Sequence, residues 1–119
     1  MIIVFTTSGN DLSAPLDSRF GRAAKFLVYD TESKKIDIID NRQNLNAAQG
    51  AGIQAAETVA RLGAGVLVSG HCGPKAFKVL QAAKVRVFPC AAATVAEALA
   101  QYESGALPEA TTADVEGHW

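Results

Sequence analysis

Cysteine, methionine and tryptophan are scarce in this 119-residue chain, which has two, one and one of them respectively. Two cysteines as far apart as Cys72 and Cys90 make no disulfide framework. The fold must therefore rest on a hydrophobic core, and a reducing, cytoplasmic setting is the expectation. An excess of charge of one sign is lacking too. Eleven Lys and Arg stand against twelve Asp and Glu, for a formal net charge of −1. Cationic runs reach only pairs such as Lys34-Lys35, so composition predicts no nucleic-acid partner and no membrane partner. No apolar stretch approaches the length of a bilayer span. The opening run Met1-Ile2-Ile3-Val4-Phe5 has no basic region before it and breaks at Thr6-Thr7-Ser8-Gly9-Asn10. It reads as a buried first strand rather than a signal peptide.

Several catalytic signatures are missing as well. Gly70-His71-Cys72-Gly73-Pro74-Lys75-Ala76 is not a Walker loop, because no Gly-Lys-Ser/Thr closes it. There is no Gly-x-Gly-x-x-Gly order and no recognisable Ser/His/Asp set. The acids Asp11, Asp17, Asp30 and Asp40 are scattered over loops and strand ends, with no marked catalytic pair. The first strand carries no acid for a two-metal nuclease. The chain is expected not to be an enzyme.

What is present is a globular composition, 49% hydrophobic and 19% charged. A single domain is expected over residues 1–108, followed by a mobile acidic tail at 109–119. Short β-branched runs predict strands at 2–6, 25–30 and 36–40, the last two joined as an antiparallel hairpin. Residues 11–24 read as a loop with one helical turn around Ser18–Gly21, and 42–49 as a polar loop. Beyond them the period changes. A helix is predicted over 50–62, ended by Gly63 and Gly65, then a buried strand at 65–69 and a helix opened by Pro74. A last strand at 85–88 ends at Pro89. The final helix has a capping box in Thr94 and Glu97 and a stop at Gly105. The order β-β-β-α-β-α-β-α predicts an α/β fold with a five-stranded mixed sheet, strands one, four and five being parallel neighbours.

Ligands of open α/β sheets bind beyond the carboxyl ends of the parallel strands. Three loops should meet there: one with Ser8 and Gly9, one with Gly70, His71, Cys72 and Gly73, and one with Cys90, Ala93 and Thr94. The last two feed helix N-termini, whose N–H groups near Gly73 and Ala93 suit an anion. Cys72 and Cys90 should lie close together, since neighbouring strands are about 5 Å apart. With His71 they form a candidate set of soft metal ligands, to be weighed against the inert packing usual for cysteine. Arg19 and Arg22, flanking Phe20-Gly21, would point the same way from one helical turn and could clamp an anion; solvated surface arginines are the plainer reading.

Ser18-Arg19-Phe20-Gly21-Arg22-Ala23 with Phe26, Gly50-Ala51-Gly52-Ile53-Gln54-Ala55-Ala56, Gly70 through Ala76, and Val95-Ala96-Glu97-Ala98-Leu99 with Tyr102, Gly105 and Leu107 occur in this order. Together they resemble the dinitrogenase iron–molybdenum cofactor biosynthesis family, over roughly residues 1–108. The resemblance implies a ribonuclease-H-like motif, with the second strand antiparallel and helices on both faces. It also implies an anionic metal–sulfur cluster or precursor as cargo, containing molybdenum and possibly iron or copper. A cluster-assembly protein or ATPase would be the partner. Some members of that family have a His-Phe-Gly motif where this chain has Arg19-Phe20-Gly21. Arginine pairs with an anion instead of ligating a metal, so non-covalent capture of a thiomolybdate-like anion is expected here. A cargo-free regulatory module docking on an assembly ATPase or metalloenzyme is the alternative.

Overall fold

The computed structural model describes residues 1–41 and 51–110. The polar loop expected at 42–49, Gly50, and the tail residues 111–119 lie outside the described residues. Among the described residues are five strands, β1 (Ile2–Thr7), β2 (Lys25–Asp30), β3 (Ile36–Asp40), β4 (Val66–Ser69) and β5 (Arg86–Pro89), and three helices, α1 (Ala51–Arg61), α2 (Pro74–Ala82) and α3 (Val95–Glu103). They form one sheet in the order β3-β2-β1-β4-β5. β2 is antiparallel to both β1 and β3, and β1, β4 and β5 run parallel. The expected five-stranded mixed α/β sheet is therefore what forms.

The two-residue period of the strands explains how the sheet is covered. Val4, Phe26, Leu67 and Val87 point to one face, where they meet Ala55, Ala56 and Val59 of α1 and Ala76, Phe77 and Leu80 of α2. Their neighbours Ile3, Phe5, Leu27, Val66, Val68 and Phe88 point to the other, against Val95, Ala98 and Leu99 of α3. With both faces covered, β1 and β4 read as unbroken apolar runs rather than as alternation. Phe5, Phe20 and Phe26 are fully buried; truncating one such ring typically costs about 3–5 kcal/mol.

Helix ends follow the sequence signals. Gly63 and Gly105 take left-handed backbone (φ +76° and +78°) just past α1 and α3. Pro74 opens α2. Several boundaries differ from expectation by one residue, and two of them have a visible cause. β1 runs on to Thr7, because Thr7 still pairs with Lys25. β5 includes Pro89, which pairs with Ser69. The ladder passes instead through the Cys90 N–H, which donates to Ser69 O (2.8 Å). The proline nitrogen thus faces the open edge of the sheet, where proline is tolerated.

Glu109 and Ala110, assigned from sequence to the tail, are tied back onto β5. Ala110 N–H donates to Val87 O (2.8 Å), and Glu109 Oε1 bridges Arg86 at 2.8 Å. No helix among the described residues is long and apolar enough to cross a membrane.

Candidate functional site

The carboxyl ends of β1 and β4 are occupied by the chain itself. Residues 14–20, expected as a loop with a helical turn, instead run extended across these strand ends as a strap. Thr7 bridges Leu16, Pro15 bridges Thr94, and Arg19 forms a parallel bridge with His71. Asp17 N–H donates to Thr6 O (2.8 Å), His71 N–H to Ser18 O (2.7 Å) and Phe20 N–H to His71 O (3.1 Å). Leu16 N–H donates to Ala93 O (3.1 Å). These non-local ladder bonds outcompete a single helical turn, whose nucleation is costly in isolation.

Gly70 makes the crossing possible. A Cβ there would collide with the backbone of Ser18, so close approach requires glycine. Between the strap and the end of β5, a cleft of about 260 Å³ is lined by Ser18, Gly70, His71, Pro89, Cys90 and Ala91. It is smaller than the roughly 300–1,000 Å³ of pockets for drug-sized ligands. None of these six residues carries a carboxylate. They offer one hydroxyl, one imidazole and one thiol among apolar groups.

The structure brings Gly70, His71 and Cys90 to this cleft, with Arg19 at its rim through the bridge to His71. Both Arg19 and His71 are exposed. Arg22 does not share a helical turn with Arg19. It lies half-buried in a tight turn over Phe20–Ala23, whose Ala23 carbonyl accepts from the Asn41 side chain (2.7 Å). Phe20 is core, with its ring 6.1 Å from that of Phe26, and Gly21 is buried beside it.

Other expected site residues are placed elsewhere or have internal partners. Ser8 is exposed and does not line the cleft. Gly9 spends its N–H on Thr7 Oγ1 (3.1 Å) and lies against Ala14. Ala93 N–H donates to Glu97 Oε2 (3.2 Å), and Thr94 Oγ1 accepts Glu97 N–H (3.2 Å). This is a capping box whose returning arm reaches one residue further back than usual. Val95 and Ala96 donate to Ala14 O and Leu12 O (2.9 and 2.8 Å). The N-terminus of α3 is thereby saturated by its own chain. That of α2 has no side-chain cap on Gly73, and it directly follows His71 and Cys72.

The two thiols fall on opposite faces of the sheet. Cys72 belongs to the core under α1 and α2, and Cys90 to the core under α3. Both are buried, and they are not joined in a disulfide. Cys90 Sγ lies 3.5 Å from Gln101 Oε1 and accepts Ala92 N–H at 3.4 Å. Among the described residues no three His, Cys, Asp or Glu side chains are grouped to hold a metal ion. His71, Cys72 and Cys90 are thus not assembled as one ligand set.

Sequence reasoning placed the Pro89–Thr94 loop at this end of the sheet, but it did not single out Ser18 in the cleft or Thr6 and Ser69 behind it. Thr6, Ser69 and Asn41 are polar yet at most 1% exposed. Polar residues closing apolar strands were the available signal.

Comparison with known proteins bears on this site. The family model described as dinitrogenase iron-molybdenum cofactor matches residues 1–105. Among solved structures, the apo form of the orange protein from Desulfovibrio gigas is 39% identical, with a TM-score of 0.93 and 96% of each chain covered. A Thermotoga protein of the DUF35 family, solved by NMR, is 34% identical, with a TM-score of 0.84 and 98% of each chain covered. A Methanocaldococcus jannaschii protein at 11% identity and a TM-score of 0.70, covering 94% of this chain and 96% of its own, shares the fold alone. No curated protein sequence matches. Fold, strand order and family model agree, and the chain belongs to the dinitrogenase iron–molybdenum cofactor family.

Proposed function

We propose that this chain binds an anionic metal–sulfur cluster or its precursor, containing molybdenum with iron or copper as further components, and carries it during cluster assembly. The observation that carries the reading is the cleft at the ends of β4 and β5, walled by Ser18, His71 and Cys90 with Arg19 at its rim. Family membership and the likeness to the orange protein support a cofactor-related binding role.

The chemistry of the lining favours a sulfide-bearing anion over a hard oxyanion. Thioanions are large and weakly hydrated, so an apolar wall of Pro89, Ala91 and Gly70 costs them little solvation. The imidazole of His71 and the thiol of Cys90 are softer partners than carboxylates. The Arg19 guanidinium supplies positive charge and planar donors, and the uncapped first turn of α2 adds a partial positive charge. Arg22 and the backbone N–H groups around Gly73 are proposed as a further cationic contribution, from outside the residues that line the cleft. The role is capture and delivery without a catalytic residue. The recipient would be a cluster-assembly protein or ATPase, in a cytoplasmic setting.

The test is reconstitution of the purified chain with tetrathiomolybdate, with and without copper, followed by visible absorption after gel filtration. A retained chromophore that is lost in Arg19→Ala/Arg22→Ala is expected. A colourless protein would sink the reading. Pull-down of one partner by such a colourless, metal-free chain would point to a cargo-free docking module.

A further inference from the structure

The strap that walls the cleft is anchored by hydroxyl groups that do not reach the cleft themselves. Thr6 is the penultimate residue of β1 and is fully buried; Ser69 closes β4 and is 1% exposed. Buried hydroxyls are costly unless hydrogen-bonded. Thr6 Oγ1 lies 3.0 Å from Asp17 O and 2.9 Å from Ser69 Oγ. A hydroxyl has one proton, and the Asp17 carbonyl can only accept. Thr6 therefore donates to Asp17 O, and Ser69 donates to Thr6 Oγ1. The direction of the relay is fixed: Ser69 to Thr6 to the strap.

Asp17 receives more than this one bond. Its carbonyl also accepts Gly70 N–H (3.3 Å), and its own N–H donates to Thr6 O (2.8 Å). Its carboxylate accepts Arg19 N–H (2.9 Å). Residue 17 is thus the pivot from which Ser18 reaches the cleft wall and Arg19 the rim. The relay adds a buried side-chain hold from the sheet to the backbone bonds of that pivot.

We propose that Thr6 and Ser69 are positioning residues of the cleft, their hydroxyl relay holding Asp17 so that Ser18 and Arg19 stand where a thioanion meets them. The proposal rests on the cargo-binding reading above, but its structural half is testable without cargo.

The experiment uses the full chain as wild type, Thr6→Val, Thr6→Ser and Ser69→Ala. Amide hydrogen exchange is followed at His71 and Phe20, which report strap docking, and at Val4 and Leu67, which report global opening. Tetrathiomolybdate affinity is titrated by visible absorption. Thr6→Val is expected to speed exchange at His71 and Phe20 by about tenfold relative to Val4 and Leu67, and to weaken tetrathiomolybdate binding by a similar factor, as loss of one buried hydrogen bond implies. Thr6→Ser should restore both. Ser69→Ala, the smallest truncation, should act in the same direction and keeps the test decisive if Thr6→Val does not fold.

Exchange that accelerates equally at all four amides would overturn the positioning role, because it signals general destabilisation. So would loosened strap amides with unchanged thioanion affinity. If the wild type binds no tetrathiomolybdate, the cargo reading fails by itself, and the exchange ratios still decide whether the relay holds the strap.

Discussion

The main chains of Arg19 and His71 run side by side in parallel, so that a residue from the loop after β1 and a residue from the loop after β4 share one rim. They are 52 positions apart in sequence. Their pairing sets the main chain of Arg19 beside His71, which lines the cleft, and it depends on the absence of a side chain at the neighbouring residue.

That residue is Gly70. Gly70→Ala should displace the strap at Ser18 and destabilise the chain by about 1–3 kcal/mol, the usual cost of overpacking. Urea unfolding measures the loss. Tetrathiomolybdate binding should fall further than the stability change alone explains, since the cleft wall moves.

The capping residues of α3 should separate stability from anion affinity. Thr94→Ala is expected to cost about 1 kcal/mol in urea unfolding through loss of the N-cap. Glu97→Ala should cost about 0.5 kcal/mol. It also frees the Ala93 N–H that the carboxylate occupies, and removes a negative charge from the helix start. Tetrathiomolybdate should bind more tightly to Glu97→Ala than to wild type, as read by the same absorption titration.

The two cysteines should behave differently. Cys90→Ser should shift the visible spectrum of bound thiomolybdate, because Cys90 lines the cleft. Cys72→Ala should cost about 1–2 kcal/mol by leaving a small void in the core and leave the spectrum unchanged. Alkylation followed by mass spectrometry should show bound cargo protecting Cys90.

Acid stability should depend on two aspartates, Asp11 in the loop after β1 and Asp30 at the end of β2. The Ser13 hydroxyl, and then the Ser13 N–H, hold the Asp11 carboxyl below its ordinary value of 3.8. The Glu32 N–H does the same for Asp30. Because the folded values are depressed, their stabilisation is complete above the unfolded value and is lost as pH falls through the folded one. Asp11→Asn/Asp30→Asn should therefore lower the thermal midpoint near neutral pH, and the difference from wild type should vanish toward pH ~2.

The fold was largely legible because local signals agreed with global ones. The 25–40 hairpin, the Pro74 start and the Thr94 cap each rest on neighbours within a few positions. The site was less legible because its determinants are non-local. No periodicity in residues 11–24 announces that they will zip against Gly70-His71 and Ala93. Strand spacing predicted that Cys72 and Cys90 lie near each other, but it says nothing of which face each thiol takes. The N–H of Ala93 looked open to a ligand from sequence, since an acid three positions into a helix usually returns to the cap residue and here reaches beyond it.

The docking of the strap against the start of α3 also orders events in time. Leu12, Ala14 and Leu16 exchange hydrogen bonds with Ala96, Val95 and Ala93, contacts that close loops of roughly 80 residues, whose entropy is lost only once in a cooperative fold. A nascent chain lacks these partners of Leu12, Ala14 and Leu16 until the final helix has emerged from the ribosome. The β1–β2–β3 hairpins can form early from local contacts, but the cleft cannot. A fragment that stops before Thr94 should therefore keep all five strands and every residue that lines the cleft, yet lack the helix start that docks the strap.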